Sequence, residues 1–264
     1  MKNKNTGIFA SAITLGVGGV AAYAYSKNKK NQQVIGIICP METELEPLLA
    51  NATKITVSNI SGMTFYKGIL CRKKVVMVVC GVGKVNAAMC AEALITQFNV
   101  SAVINSGVAG TTNETLAQGD LVISTDAVHH DVDATALGCA MGEIPDMDVS
   151  CFKADFRLME VAKEAATKLV ARGVRVTLGR IASGDVFVQK QEDKKRIREA
   201  FEPYAVEMEG AAVAQVAYQN DVPFVIIRSI SDSANGEANL EYAEFLPLAV
   251  KNSTELVMGM LSLK

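Results

Sequence analysis

The chain has 264 residues and a formal net charge of −2, with 26 Lys and Arg against 28 Asp and Glu. That balance leaves no basic footprint for nucleic acid, and a chain with no Trp and 6% aromatic residues offers no stacking platform for single strands. At 50% hydrophobic residues it has the composition of a protein with a sizeable buried core.

The first segment to stand out is GIFASAITLGVGGVAAYAY, residues 7–25, an uncharged run set between Lys2 and Lys4 on one side and Lys27, Lys29 and Lys30 on the other. Such a run just spans a bilayer. It also fits a signal peptide, with Ala22-Tyr23-Ala24 as the small-residue cleavage site. Residues 1–33 are therefore expected to form an anchor or signal segment with a polar linker, and 34–264 a single domain. The expected localisation is a membrane anchor through residues 7–25 with the domain cytoplasmic; export after signal cleavage is the alternative.

Beyond the linker the pattern alternates. VIGIIC (34–39) is short, β-branched and apolar throughout, as buried strands are. ITVSNI and MTFYKGIL, separated by Ser61-Gly62, predict a hairpin. VVMVVC (75–80) predicts another buried strand, which turns through Gly81-Val82-Gly83 into a helix over 84–97. SAVINSG, DLVIST, VRVTLGRIAS, YAVEM and PFVIIRSIS supply five more strands, and helices fit 155–172, 190–200, 209–220 and 241–262. Strands interleaved with helices predict an α/β fold, a three-layer α/β/α sandwich around a central mixed sheet.

Six cysteines (Cys39, Cys71, Cys80, Cys90, Cys139 and Cys151) show no CxxC pair, and His129 and His130 are the only histidines. A zinc site is not expected, and core thiols suit a reducing compartment. GVGK (81–84) lacks the GxxxxGK[ST] spacing of a phosphate loop and reads as a tight strand-to-helix turn. His129-His130-Asp131 reads as a polar loop.

Ligands of α/β folds bind where strands end, and here the strand ends carry the polar oddities. Glu42 and Glu44 follow the first strand, Gly107 and Gly110 lie in NSGVAG, Ser183-Gly184-Asp185 follow VRVTLGRIA, Glu207 and Glu209 follow YAV, and Ser231-Asp232 follow PFVIIRSI. Glu44 also fits a first-turn acid favoured by the helix dipole. Glu207 reads as the structural member of its pair, and Asp232 could cap a helix. Acids on separate loops around glycine-lined space nonetheless suit general acid–base chemistry.

Taken in order, IGIICPMETELEPLL, GVGKVNAA, VINSGVAG, GDLVIS, HDVDATALG, SGDVFV, VEMEGAAVA and VPFVIIRSISD make the chain resemble the 5′-methylthioadenosine/S-adenosylhomocysteine nucleosidases of the nucleoside phosphorylase superfamily, over about residues 34–262. The resemblance implies hydrolysis of the N-glycosidic bond of those adenine nucleoside thioethers, and of 5′-deoxyadenosine, to adenine and the 5′-substituted ribose, with no cofactor and no metal.

The resemblance also implies a role for each matched position. Glu44 holds and deprotonates the attacking water. Asp232 protonates N7 of the leaving base, with Ser231 orienting it. Glu209 binds the ribose hydroxyls, Met208 packs on the sugar, and Glu207 lies beside them or pairs with Arg228. Phe187 stacks on adenine and the backbone of Val188 reads its edge, while Val108 and Gly110 line the site. Val108 departs from the family's usual Ser. Leu137 stands where an aromatic often enters the neighbouring subunit's pocket, so substrate preference stays open, and a homodimer is expected.

Two alternatives stand beside this reading. Phosphorolysis is disfavoured by the acidic first loop and by Asn105-Ser106, where phosphorylases carry arginine. A catalytically silent nucleoside-binding domain at a membrane would not need three acids.

Overall fold

The computed structural model describes residues 33–234 and 238–263, and all but the first of these belong to the compact unit Val34–Lys264. In chain order the elements are β1 (Val34–Cys39), α1 (Glu42–Ala50), β2 (Thr53–Ile60), β3 (Met63–Leu70), β4 (Lys73–Val79), α2 (Lys84–Phe98), β5 (Ala102–Gly110) and β6 (Leu121–His129). A 3-10 turn (Thr135–Leu137) comes next. The chain continues through β7 (Cys151–Lys153), α3 (Phe156–Ala165), α4 (Thr167–Val170), β8 (Val176–Ser183), α5 (Gln191–Phe201), β9 (Ala205–Glu207), α6 (Gly210–Gln219), β10 (Phe224–Asp232) and α7 (Ala238–Ser262).

The strands form one mixed sheet in the order β10-β6-β8-β9-β5-β1-β4-β3-β2, and β10 also pairs with β5. The sheet thus curls until β10 is bonded on both sides, parallel to β5 and antiparallel to β6. Alternation along the strands sorts their side chains into two cores. Ile38, Val76, Ile226 and Ile230 face α2 and α6 on one side, whereas Ile37, Cys39, Val75 and Ile227 meet Leu45, Leu48, Leu169 and Leu256 on the other. Helices on both faces of a mixed sheet make this the expected three-layer α/β/α fold.

Differences from the sequence reading are local. The helix expected over 155–172 is divided at Ala166 into α3 and α4. β7, three residues long and bonded only to β6, is too short to leave a periodic signal. His129 and His130, read from the sequence as part of a polar loop, are buried at the end of β6.

The expected localisation is corrected here. No helix of the described residues is long and apolar enough to cross a membrane. Residues 7–25, to which the anchor was assigned, lie outside the described residues.

Candidate active site

The C-terminal ends of β1, β5, β9 and β10 open onto one cavity of about 240 Å³, lined among others by Glu44, Val108, Gly110, Phe187, Met208 and Asp232. Glycine makes this convergence possible. A Cβ on Gly110 would lie 2.5 Å from Asp232 Oδ2, and one on Gly107 would lie 2.8 Å from Glu44 Oε1. Both distances are shorter than any real Cβ contact, so the backbone of β5 approaches the two acids only because these side chains are missing.

Glu44 is buried in the first turn of α1. Its Oε2 accepts the Met41 N–H at 2.9 Å, as a capping glutamate does. Its Oε1 reaches across to accept the Val108 N–H, also at 2.9 Å. Burial pushes its pKa up to about 7, outweighing the nearby Arg228 and the two N–H groups. A carboxylate poised there can exchange a proton near neutral pH.

Glu207 and Glu209 leave β9 two residues apart and do different things. Glu207 accepts from the Ser183 hydroxyl, from the backbone N–H of Glu209 and Gly210, and from the guanidinium of the fully buried Arg228. Burial opposes its charge, but Arg228 and these donors hold its carboxyl below the ordinary carboxylate range. Its acceptor capacity is filled by protein, so it braces the site, as the sequence suggested for the structural member of the pair. Glu209 accepts the Gly83 N–H at 2.9 Å and stands 3.5 Å from Arg228. Burial and the negative charge of Glu207 push it up to about 7. Gly83 presents that N–H from φ +100°, a conformation that side chains disfavour.

Asp232 is buried at the end of β10, where the register with β5 shifts between Ile230 and Asp232. The Ser231 hydroxyl lies 2.8 Å from Asp232 Oδ1. Ser231 also lines the cavity, as does Met208. Phe187 is 42% exposed at the mouth and meets the ring of Tyr242 edge-on at 5.8 Å. Val188 lines a second cavity of about 40 Å³ that shares Gly110, Phe187, Glu207, Met208 and Asp232 with the first.

Leu137, by contrast, is 78% exposed and lines neither cavity. Among the described residues no group of three His, Cys, Asp or Glu converges to hold a metal ion.

Two contributors escaped the sequence reading, and the part played by a third was underestimated. Tyr242 comes from a helix far along the chain, and its hydroxyl reaches the Met41 sulfur at 3.2 Å. Lys194 belongs to a charged run that reads as a solvated helix face, yet it is buried with Nζ donating to the Ser233 carbonyl at 2.8 Å. Arg228 suggested a partner for Glu207, but nothing marked it as the hub. Its Nη2 also donates to Asn105 Oδ1 at 2.8 Å, and its Nη1 has no partner among the described residues.

Comparison with known proteins places this geometry in context. The Phosphorylase superfamily matches residues 34–262. A 5′-methylthioadenosine/S-adenosylhomocysteine nucleosidase of Anoxybacillus flavithermus is 44% identical over 232 residues, 86% of this chain and 97% of its own. The Neisseria meningitidis nucleosidase in complex with methylthio-immucillin-A superposes with a TM-score of 0.83 at 40% identity, covering 87% of this chain and 99% of that one. The futalosine hydrolase of Helicobacter pylori strain 26695 has a TM-score of 0.82 at 34% identity, covering 88% and 98%.

Proposed function

The chain belongs to the 5′-methylthioadenosine/S-adenosylhomocysteine nucleosidases of the phosphorylase superfamily, and from that premise we infer which side chains carry its reaction. The enzyme hydrolyses the N-glycosidic bond of 5′-methylthioadenosine and S-adenosylhomocysteine and releases adenine. Glu44 takes a proton from water as the oxygen bonds to C1′. The C1′–N9 bond breaks, its electron pair leaves with the purine, and Asp232 delivers a proton to N7. One proton then returns from Glu44 to Asp232 through solvent, and the cycle closes without a cofactor.

Positive charge builds on the ribose during this step. Glu209, whose carboxyl is pushed up to about 7, accepts hydrogen bonds from the ribose hydroxyls and in its ionised form stabilises that charge. Met208 covers the sugar, Phe187 stacks on the base, the Val188 backbone reads its edge, and Val108 and Gly110 complete the walls. The observation that supports these roles is that Glu44, Glu209 and Asp232, from three separate elements, line one cavity.

Water rather than phosphate is favoured by charge. The cavity gathers Glu44, Glu207, Glu209 and Asp232, and the adjoining guanidinium of Arg228 is already held by two of them. A phosphate dianion would meet net repulsion.

A homodimer is part of the same proposal. Val82, Val85, Met89, Leu137 and Val186 are all exposed, and a second copy covering Leu137 would use an apolar surface that is otherwise left in water. Sedimentation at assay concentration tests this, and a monomeric active enzyme overturns it.

The catalytic reading is tested by following adenine release from both thioethers with and without phosphate. Release without phosphate is expected. A strict phosphate requirement would reverse the assignment.

A further inference from the structure

We propose that Asp131 is a positioning residue which, by holding both Lys84 and Asp185, clasps together two walls of the nucleoside cleft and sets substrate affinity rather than the rate of bond cleavage. The proposal rests on the nucleosidase reading of that cleft. Asp131 lies just beyond β6, and its two carboxylate oxygens hold two other segments. Oδ1 accepts from Lys84 Nζ at 2.6 Å, and Oδ2 accepts from the Asp185 N–H at 2.9 Å. Asp185 Oδ1 then closes the triangle by accepting the Lys84 N–H at 2.8 Å. The Lys84 ammonium and Asp185 N–H outweigh partial burial and hold Asp131 below the ordinary carboxylate range, so the clasp stays charged.

None of the three lines either cavity, but Lys84 stands two residues after Val82, which lines the first, and Asp185 precedes Val186, which lines the second. Lys84 follows Gly83, whose N–H fixes Glu209. Asp185 is two residues before Phe187, which lines both cavities. Asp131 opens the loop that leads to the exposed Leu137.

The base of the clasp is packed. The His130 N–H donates to the Ser183 carbonyl at 2.9 Å, and the Gly184 N–H donates to the Glu207 carbonyl at 3.1 Å. A side chain on Gly184 would strike the His130 ring. The loop carrying Phe187 therefore has a fixed root, and the clasp holds its next residue to the start of α2.

The Lys84 and Asp131 side chains are about one-fifth exposed, so the pair is not a deep structural strut whose loss must unfold the domain. A small displacement of a binding wall, however, is felt strongly in a site that works by alignment.

The test uses the full chain with Asp131→Ala, Lys84→Met, their double variant, and Asp131→Asn, which can still accept the Asp185 N–H. The expected result for each single variant is a rise of about tenfold in KM for methylthioadenosine and in the inhibition constant of adenine, with kcat within about threefold. The double variant should be no worse than the more affected single, and Asp131→Asn should recover part of the loss. Kinetic constants within twofold of wild type in folded variants, or a fall in kcat at unchanged KM, overturn the proposal. If Asp131→Ala does not fold, Lys84→Met decides by the same criteria. Wild-type enzyme assayed alongside separates the two ideas, because its failure to release adenine would refute the nucleosidase reading itself.

Discussion

The Ser231 hydroxyl meets Asp232 Oδ1 at 2.8 Å while Asp232 Oδ2 hangs over the bare backbone of Gly110. The carboxyl is thus fixed in the wall of the cavity, with Ser231 on one oxygen and the β5 backbone beside the other. Replacing Asp232 by Asn keeps the shape and removes the transferable proton. Turnover should fall about 10²–10⁴-fold while the thermal midpoint stays near that of wild type. Near-normal turnover would remove Asp232 from the proton-donor role.

The same oxygen makes Gly110 intolerant of substitution. In Gly110→Ala the methyl carbon would begin 2.5 Å from Asp232 Oδ2, so the acid must swing away. We expect kcat to drop by at least about tenfold in a protein that still folds, because the displaced atoms are catalytic rather than core. Activity assayed beside circular dichroism distinguishes misplacement from unfolding.

A pH profile reports on the other acid. Glu44 must be ionised to accept a proton, and its pKa lies at about 7. The low-pH limb of kcat/KM should therefore rise through about 7, and the fall on the alkaline side reports loss of the proton that Asp232 must carry. Glu209 is shifted the same way, also to about 7, so the rise can be steeper than one proton gives. A profile already flat between about pH 5 and 6 would contradict the assignment of Glu44.

Those shifts also predict opposite effects on stability from two neighbouring carboxylates. Glu44 is raised from 4.5 to about 7 in the fold. The folded state thus binds more protons than the unfolded one across that window, and the stability Glu44 gives at low pH is lost as pH rises through 7. Glu44→Gln should melt higher than wild type at pH 8, with the advantage gone at about pH 5. Glu207 is lowered, so its contribution is present above its unfolded pKa and is lost on acidification. Glu207→Gln leaves the buried Arg228 without its main counter-charge and should cost about 3–5 kcal/mol. Thermal melts of the two variants across pH test both signs.

How far the site could be foreseen depends on where each residue sits. Glu44, Glu209 and Asp232 were legible because polar residues at the ends of apolar strands break a pattern that packing would otherwise complete. The strands of β1 and β10 were legible for the same reason, since every one of their residues but the first two of β1 is buried. Tyr242 was not, because a tyrosine in an amphipathic helix carries no mark of the cleft it faces. Lys194 was hidden by Lys195, Arg196 and Arg198, which share its run but stay in water as their ion pairs show. Asp131 stood in a loop whose polarity looked sufficient to explain it, and only the meeting of three distant segments reveals its two partners.

The double pairing of β10 has a last consequence. Phe224–Asp232 bonds to β5 along its length and to β6 through Ile227–Ser229, so Arg228 does not ride on an edge that can fray. Amide hydrogens there should exchange only through global opening of the domain. Heat or denaturant would accordingly release the buried guanidinium in the same cooperative step that dissolves the core, with no partly melted form that keeps its shape and loses its central cation.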